Sequence, residues 1–304
     1  MGQPDPSRLF RCRRPRVEAG LAGLILLLGA PAAPAQLFPL LGALFQPTAT
    51  DDKRSALTTE KWLELEKNGQ QAWHITKGKD FAQLPKEFQW DKAPTPVDTP
   101  FPVYPFEKLD KGEAGKVQVY FAVGPDGRTY GAQLEETSAP EFGEAVLAMI
   151  DACRFNPPMK DGKPGYAYLG CEYRFSPTGH SDGPVSPDAR RILRDLKKAS
   201  GNIVTLNQLD QPLKPVVRPG PVYPAALKKE HPAGSAEVEF YVDEDGKAQL
   251  PRVLSCSAPA FGYAVVQAVA AWRFEAPKRE GKSVVVRVRL PIDFEGGKPA
   301  AAPK

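Results

Sequence analysis

Histidine, the side chain that most often transfers protons in catalysis, is rare in this chain and scattered along it. Its three histidines, His74, His180 and His231, are too widely separated to form a metal-ligand motif. His180 adjoins Ser181 and Asp182, but adjacent residues in a stretch rich in Gly and Pro cannot adopt the arrangement of a nucleophilic triad. The sequence has neither a Gly-x-Ser-x-Gly motif nor a phosphate-binding Gly-rich loop. We therefore expect no enzymatic activity, no cofactor and no metal site.

The cysteines offer one further kind of chemistry. Cys12 lies near the N-terminus, which leaves Cys153, Cys171 and Cys256 in the rest of the chain. Cys153 and Cys171 fall on predicted inward faces, and we interpret them as two small buried side chains. The alternative is a Cys153–Cys171 disulfide, which an oxidising compartment would permit. Cys256 stands where the first repeat has a threonine, and we expect it to be a thiol without a role.

An internal repeat with a spacing of 119 residues organises the chain. A repeat of this length indicates one folded module used twice, so function is to be sought in the module. The segments that recur in register are Pro102–Pro105 with Pro221–Pro224, Asp126-Gly127 with Asp245-Gly246, Ser138–Pro140 with Ser257–Pro259, Arg154-Phe155 with Arg273-Phe274, and Phe175 with Phe294.

Hydrophobic periodicity predicts the elements of each module. From Ala236 to Val242 apolar and polar residues alternate, which is typical of a strand with one buried face. Asp245-Gly246 predicts a hairpin turn, and an apolar stripe from Phe261 to Trp272 predicts a helix. A second strand at about residues 248–255, a third at about 284–292 and a short opening helix at about 224–230 complete the unit. The predicted fold class is α+β: two tandem α-β-β-α-β modules, each a three-stranded antiparallel sheet with helices packed on one face.

The chain is expected to divide into six parts. Proline-spaced linkers open both modules, and a predicted helix and strand precede each linker. The helix and strand are at residues 58–67 and 71–76 before the first linker, and at residues 187–199 and 202–206 before the second. The predicted parts are a signal peptide at 1–35 (or an uncleaved membrane anchor to about 45), an N-terminal helix and strand segment at 36–90, a first module at 91–176, a linker with a helix at 177–209, a second module at 210–295, and a disordered tail at 296–304.

The N-terminus has the pattern of an export signal. Five arginines occur within the first 16 residues, an apolar run follows at residues 21–30, and Ala33-Pro34-Ala35 supplies small residues for cleavage before Gln36. The alternative is an uncleaved membrane segment, since no charged residue occurs from Ala19 to Thr50. Both interpretations place most of the chain outside the cytoplasm. Because these arginines account for most of the net charge of +4, the rest of the chain offers no electrostatic reason to expect nucleic-acid binding.

The ordered motifs of the repeat are similar to those of the TonB C-terminal domain. In the second copy they are Tyr223-Pro224, Gly234, Asp245-Gly246, Trp272-Arg273-Phe274 and a long final strand. The first copy has the corresponding residues Tyr104-Pro105, Gly115, Asp126-Gly127, Arg154-Phe155 and Phe175. The resemblance covers two blocks that together make up about half of the chain.

The resemblance implies a periplasmic protein of a bacterium with two membranes. TonB-like domains bind the plug region of outer-membrane transporters by adding a receptor strand to the last strand of the domain, next to the Tyr-Pro segment. If the N-terminus stays uncleaved, the chain would be anchored in the inner membrane with its bulk in the periplasm, and a proton-driven motor would be a further partner. The residues that the resemblance assigns to the partner are Tyr223, Pro224, Ser283, Val284, Val285, Val286, Arg287, Val288, Arg289 and Leu290.

The first copy is expected to bind more weakly, because Gly165 and Gly170 interrupt its last strand. Its equivalent residues are Tyr104, Pro105, Tyr166 and Tyr168. The two linkers would span only roughly 35–40 Å each if fully extended, which is short for a transducer that must cross the periplasm. The partner of the favoured function would be an outer-membrane transporter or another envelope protein. The alternative function is a non-transducing envelope scaffold or interaction protein that forms homodimers through the same strand edges.

Overall fold

The structure is a computed structural model that describes residues 67–68, 71–75, 86–178, 185–198 and 202–297, with residues 67–75 and Glu87 described by their backbone. The N-terminal export or anchor segment lies outside these ranges. So does the helix predicted at residues 58–67, except for Lys67, which begins a strand. Within the described ranges no helix is both long enough and apolar enough to cross a bilayer.

The first module and the segment before it contain eleven α-helices and β-strands in the described residues, and a 3-10 turn at Lys86–Phe88. In chain order the helices and strands are β1 (Lys67–Asn68), β2 (Gln71–Ile75), β3 (Thr95–Asp98), α1 (Phe106–Lys111), β4 (Gly115–Val123), β5 (Thr129–Thr137), α2 (Pro140–Ala152), β6 (Arg154–Asn156), β7 (Met159–Lys160), β8 (Lys163–Pro164) and β9 (Ala167–Phe175).

The second module repeats this order, with a helix and a short strand before it. In chain order these are α3 (Pro187–Lys197), β10 (Ile203–Thr205), β11 (Pro215–Val217), β12 (Gly234–Val242), β13 (Ala248–Cys256), α4 (Pro259–Ala270), β14 (Arg273–Phe274), β15 (Lys278–Arg279), β16 (Lys282–Ser283) and β17 (Val285–Phe294). The helix predicted at 224–230 is a single 3-10 turn, Ala225–Leu227.

Both modules have the predicted α+β fold, built on an antiparallel three-stranded sheet. In the first module the central strand order is β9-β4-β5, and in the second it is β17-β12-β13. Each sheet is larger than predicted, because a segment that precedes the module adds to its last strand. The first sheet thus becomes β1-β2-β9-β4-β5, and the second becomes β10-β17-β12-β13.

The two added segments run in opposite directions relative to the strands they cover. β2 pairs antiparallel with β9 over five residues, Leu169–Tyr173. β10 pairs parallel with β17 over three residues, Val285–Arg287. The duplication therefore preserves the position of the covering segment and not its direction.

The proline-spaced linkers are folded onto the modules. In the first linker β3 pairs with β6, and in the second β11 pairs with β14, so each linker forms a two-stranded antiparallel ribbon with the strand that follows the module's long helix. The linkers consequently do not act as the extended spacers considered from their length.

Each core forms where the long helix packs on its sheet. The predicted stripe of α2, from Phe142 to Cys153, is buried, and the equivalent stripe of α4 ends on the buried Trp272. The glycines that open β4 and β12 permit this packing, because a Cβ on Gly234 would lie 2.0 Å from the ring of Phe261. Gly115 stands in the same relation to Phe142, at 2.4 Å.

The two modules also pack against each other within one chain. α2 contacts α4, α1 contacts β13, and the 3-10 turn at Ala225–Leu227 contacts β5, so each module touches the other in an equivalent way. Polar contacts join the same surfaces. The buried Gln267 accepts from Val103 N and donates to Phe101 O, and Asp151 Oδ2 accepts from Ala225 N at 2.9 Å. The helical faces of the two modules therefore meet in the interior.

Candidate strand-addition edge

The last strand of the second module, β17, has neighbours on both sides at its beginning. β12 pairs with it from Val286 to Phe294 without a shift in register. On the opposite side, β10 pairs with Val285–Arg287. The expectation of a free edge is therefore wrong at Val285, Val286 and Arg287. The physical reason is that an edge strand presents unpaired N–H and C=O groups, and the β-branched run of β10 satisfies them from within the chain.

The other predicted edge residues do not all share this strand. Ser283 ends β16, which pairs with β15, and Val284 N donates to Pro277 O at 3.0 Å. Val288, Arg289 and Leu290 lie in β17 beyond β10, and in the described ranges no strand pairs with their outer side. The predicted site therefore has three parts. Ser283 lies in a hairpin, Val285–Arg287 are covered by β10, and Val288–Leu290 have no strand on the side away from β12 in the described ranges.

Pro291 limits what the open half of β17 can offer. Proline has no N–H, so it is tolerated in a strand only where that group would face away from the sheet. Since the register of β17 with β12 is regular, alternate residues point the same way, and Arg289 and Arg287 share the direction of Pro291. The main-chain N–H groups that point away from β12, toward the edge of the sheet, are therefore those of Val285, Arg287 and Arg289. β10 already covers the first two of these.

β10 is held to β17 by three paired positions, one fully buried side chain and the packing of the half-buried Ile203. Val204 is 4% exposed and belongs to the second core, whereas Ile203 and Thr205 are half-buried and Leu206 is 45% exposed. A 3-10 turn follows at Leu206–Gln208, where Gln208 Oε1 accepts from Thr205 N at 2.8 Å. The hold is narrow compared with the nine paired positions between β12 and β17.

A charged cluster occupies the outer face of the same sheet. The buried carboxylate of Glu239 accepts one hydrogen bond from Arg289 at 2.7 Å and two from Arg252 at 2.6 and 3.1 Å, and the hydroxyl of Tyr241 donates a further one. Burial acts to raise the pKa of Glu239, but these hydrogen bonds and charges outweigh it and hold the pKa below its ordinary value. Arg289 therefore has a partner inside the module, which favours the interpretation that it is part of the sheet face.

Tyr223 and Pro224 lie at the opposite end of β17 from the covered half. The ring of Tyr223 stacks on His231 with centroids 4.3 Å apart and meets Phe294 edge-on at 6.0 Å. Its hydroxyl donates to Pro232 O at 2.8 Å, and Pro224 precedes the 3-10 turn. The structure therefore places Tyr223 beside the end of the strand, while the covered residues lie at its start.

In the first copy the equivalent edge is covered more fully. β2 pairs along Leu169–Tyr173, which includes Gly170. Tyr168 stacks on Tyr120 with centroids 5.9 Å apart, and Tyr166 packs against Phe88. Tyr104 is buried and Pro105 precedes α1; burial and the nearby Glu113 raise the pKa of Tyr104 to about 12.

Cys153 and Cys171 are both buried, and no disulfide joins them in this structure. Cys153 Sγ lies 3.5 Å from Met149 Sδ, and burial raises the pKa of its thiol well above the ordinary value. Within the described residues, no group of three or more His, Cys, Asp or Glu side chains could hold a metal ion.

Two functional features were missed by reasoning from the sequence. The strand at about residues 202–206 was expected, and the β-branched triplet Ile203-Val204-Thr205 signalled it, but its partner strand was not identified. The cross-module role of Gln267 carried no signal except a polar residue within an apolar helix.

Comparison with known proteins identifies the family of the two modules. The family described as "Gram-negative bacterial TonB protein C-terminal" matches residues 100–177 and 219–295. Among solved structures, the solution NMR structure of the TonB C-terminal domain of Pseudomonas aeruginosa is 32% identical over 31% of this chain and 94% of that chain, with a TM-score of 0.27. A search of curated proteins found no match. The chain therefore belongs to the TonB C-terminal domain family, and it contains that domain twice.

Proposed function

We propose that this protein faces the periplasm of a bacterium with two membranes and that its second module binds an extended segment of an outer-membrane transporter, or of another envelope protein, by β-strand addition to β17. The observation that carries this proposal is the pairing of β10 with Val285–Arg287. It supports the proposal because a segment from outside the module already adds a strand at this edge.

The binding energy would come mainly from main-chain hydrogen bonds, with side chains adding specificity. Such bonds lie side by side along the strand, so they share a load that pulls along the strand direction. This property suits a domain that transmits force to a transporter. If the N-terminal segment stays in the inner membrane, force from a proton-driven motor would reach the modules through it.

The second module is the better candidate for this role. Its last strand is covered over three residues, whereas that of the first module is covered over five. The first module would then act mainly as a scaffold. Its α2 and α1 pack against the second module and fix the orientation of that module's sheet.

The alternative function is a scaffold that forms homodimers through the same edges. The helical surfaces of the two modules already contact each other within the chain, so a second copy would pair with a strand edge, such as the part of β17 that β10 does not cover. A mass measurement over a range of protein concentrations separates this alternative from transporter binding.

The experiment for strand addition uses synthetic peptides that span the periplasmic plug segments of the bacterium's own transporters. We expect at least one peptide to bind the full chain and to shift the NMR signals of Val285–Arg289. N-methylation at alternate peptide positions should weaken binding about tenfold or more, because it removes main-chain donors. The proposal would be ruled out if N-methylation left the affinity unchanged. It would also be ruled out if no peptide bound either the wild-type chain or a variant in which β10 is displaced from β17.

A further inference from the structure

Residues 202–209, which we call the latch, occupy the edge that the proposed function requires. The latch pairs with β17 only at Ile203–Thr205, and it does so in parallel, whereas the other strand pairs of the two large sheets are antiparallel in the described residues. It covers the edge of the sheet at Val285 and Arg287, whose main-chain N–H groups point away from β12.

The latch is attached weakly for a strand of this sheet. Val204 is its single fully buried side chain, since Asn202 and Leu206–Gln208 are exposed and the remaining side chains are partly exposed. A short segment with few buried apolar contacts opens locally at a lower free energy than the global unfolding of the domain. We therefore expect the latch to leave β17 while the sheet stays folded.

The segments on both sides of the latch are attached to the module independently of it. Before it, α3 packs on the outer face of the sheet through the buried Ile192, and Arg191 forms an ion pair with Glu244 at 2.5 Å. After it, the carboxylate of Asp210 accepts from Glu280 N at 2.7 Å and from Gly281 N at 2.9 Å. Opening would therefore release about eight residues as a tethered loop that closes again.

We propose that the latch is a built-in competitor for the partner strand. A partner segment must displace Ile203–Thr205 from β17 before it can pair with Val285–Arg289. This inference rests on the proposed function and adds to it a regulated, covered state of the binding edge.

The latch also indicates the chemistry of the partner. A segment that takes its place would run parallel to β17 and would place a β-branched apolar residue where Val204 enters the core. The flanking positions can be polar, because Ile203 and Thr205 are only half-buried. A charged residue at the central position would be excluded, since it would be buried without a partner.

The probe for this proposal is the latch sequence itself, the peptide Asn-Ile-Val-Thr-Leu-Asn-Gln-Leu. It is titrated into the isotopically labelled full chain and into two variants, V204D and L206D. V204D places a charge in the core and should open the latch. L206D also replaces an apolar side chain by aspartate, two residues later at an exposed position, and it is the matched control.

We expect the peptide to bind V204D at Val285–Arg289 about tenfold or more tightly than it binds the wild-type chain or L206D, because an occupied edge lowers apparent affinity by the fraction of open molecules. A peptide with Asp in place of its Val should not bind. Equal affinity for V204D and the wild-type chain would overturn the proposal, and so would a folded V204D that does not bind the peptide.

Hydrogen exchange of the wild-type chain keeps the proposal testable if V204D does not fold. Amides of Ile203–Thr205 should exchange through local opening, well before those of β12. Exchange of the latch only by global unfolding would overturn the proposal. If transporter peptides bind the wild-type chain and V204D equally, the latch proposal is overturned and the proposed function is supported. If the latch peptide binds V204D but no transporter peptide binds, the proposed function is overturned and the latch proposal is supported.

Discussion

Val204 is the register partner of Val286 in the parallel pair of β10 and β17, and both side chains are buried in the same core. The two residues come from segments about eighty positions apart in the sequence. Val286 belongs to a strand that pairs along nine positions with β12, whereas Val204 belongs to a strand of three residues. The two valines are therefore both buried, but the strand that carries Val204 is held to the sheet by fewer paired positions than the strand that carries Val286.

This difference predicts unequal effects of the same substitution. Val286→Ala should lower the free energy of unfolding by about 2–3 kcal/mol, because it leaves a cavity in the sheet core. Val204→Ala should lower it clearly less, since the loss cannot exceed the free energy that holds the latch closed. Urea denaturation of both variants measures the two values. Equal losses would show that β10 unfolds together with the core.

Glu239 makes a second prediction, which concerns pH. Its folded pKa is held below the ordinary value of 4.5, so its contribution to stability is complete above that pH and is lost as the pH falls through the lowered pKa. Glu239→Gln should cost at most about 3 kcal/mol at neutral pH, since both arginines can reach water. The difference from the wild-type chain should narrow in acid. Glu237→Gln, on the same strand but exposed, should change stability by less than about 0.5 kcal/mol. A Glu239→Gln deficit that is constant from pH 7 to pH 3 would contradict this account.

Asp151 should show the opposite pH dependence. Burial raises its pKa, although Ala225 N donates to it and acts to lower the pKa. A raised folded pKa means that stability is greatest below the ordinary value of 3.8 and is lost as the pH rises through the folded pKa. Asp151→Asn keeps an acceptor for Ala225 N and removes a partly buried charge, so it should stabilise the protein at pH 7. Thermal unfolding at pH 7 and in acid tests this, with the exposed Asp245→Asn as control. A destabilised Asp151→Asn at pH 7 would show that the charge is needed.

Two glycines with the same backbone conformation allow the cost of backbone strain to be measured separately from the cost of a steric clash of an added Cβ. Gly246 has φ 82° and Gly281 has φ 73°, so alanine is strained at both by about 1 kcal/mol. A Cβ at Gly246 would also lie 2.0 Å from Phe274 O, whereas nothing lies within 4 Å of one at Gly281. We expect Gly281→Ala to cost about 1 kcal/mol and Gly246→Ala to cost about 3 kcal/mol or more. Similar costs in chemical denaturation would show that the hairpin turn yields without strain at Phe274.

The sequence predicted those parts of the fold that repeat at short range. Alternation from Ala236 to Val242 and the stripe from Phe261 to Trp272 indicated a strand and a helix because burial of one face is written into neighbouring residues. The partners of the added strands could not be predicted in this way. Pairing of Val204 with Val286 depends on which exposed edge lies nearby in three dimensions, and periodicity contains no such information.

For the candidate site, the family resemblance pointed to the last strand as the partner-binding edge, and nothing in the sequence indicated that a segment of the same chain covers part of that edge. That β10 covers Val285–Arg287 follows from α3, which packs on the outer face of the sheet and brings the segment after it to the edge. Tyr223, expected beside the partner strand, instead packs on His231 and Phe294.

Hydrogen exchange of the full chain with and without a bound transporter plug peptide tests the central claim most directly. The account predicts that Ile203–Thr205 lose protection on binding, that Val285–Arg287 keep theirs because one strand replaces another at the same edge, and that Arg289, which β10 does not cover, gains protection. Protection of Ile203–Thr205 that is unchanged with the peptide bound would contradict it, since the partner would then bind elsewhere.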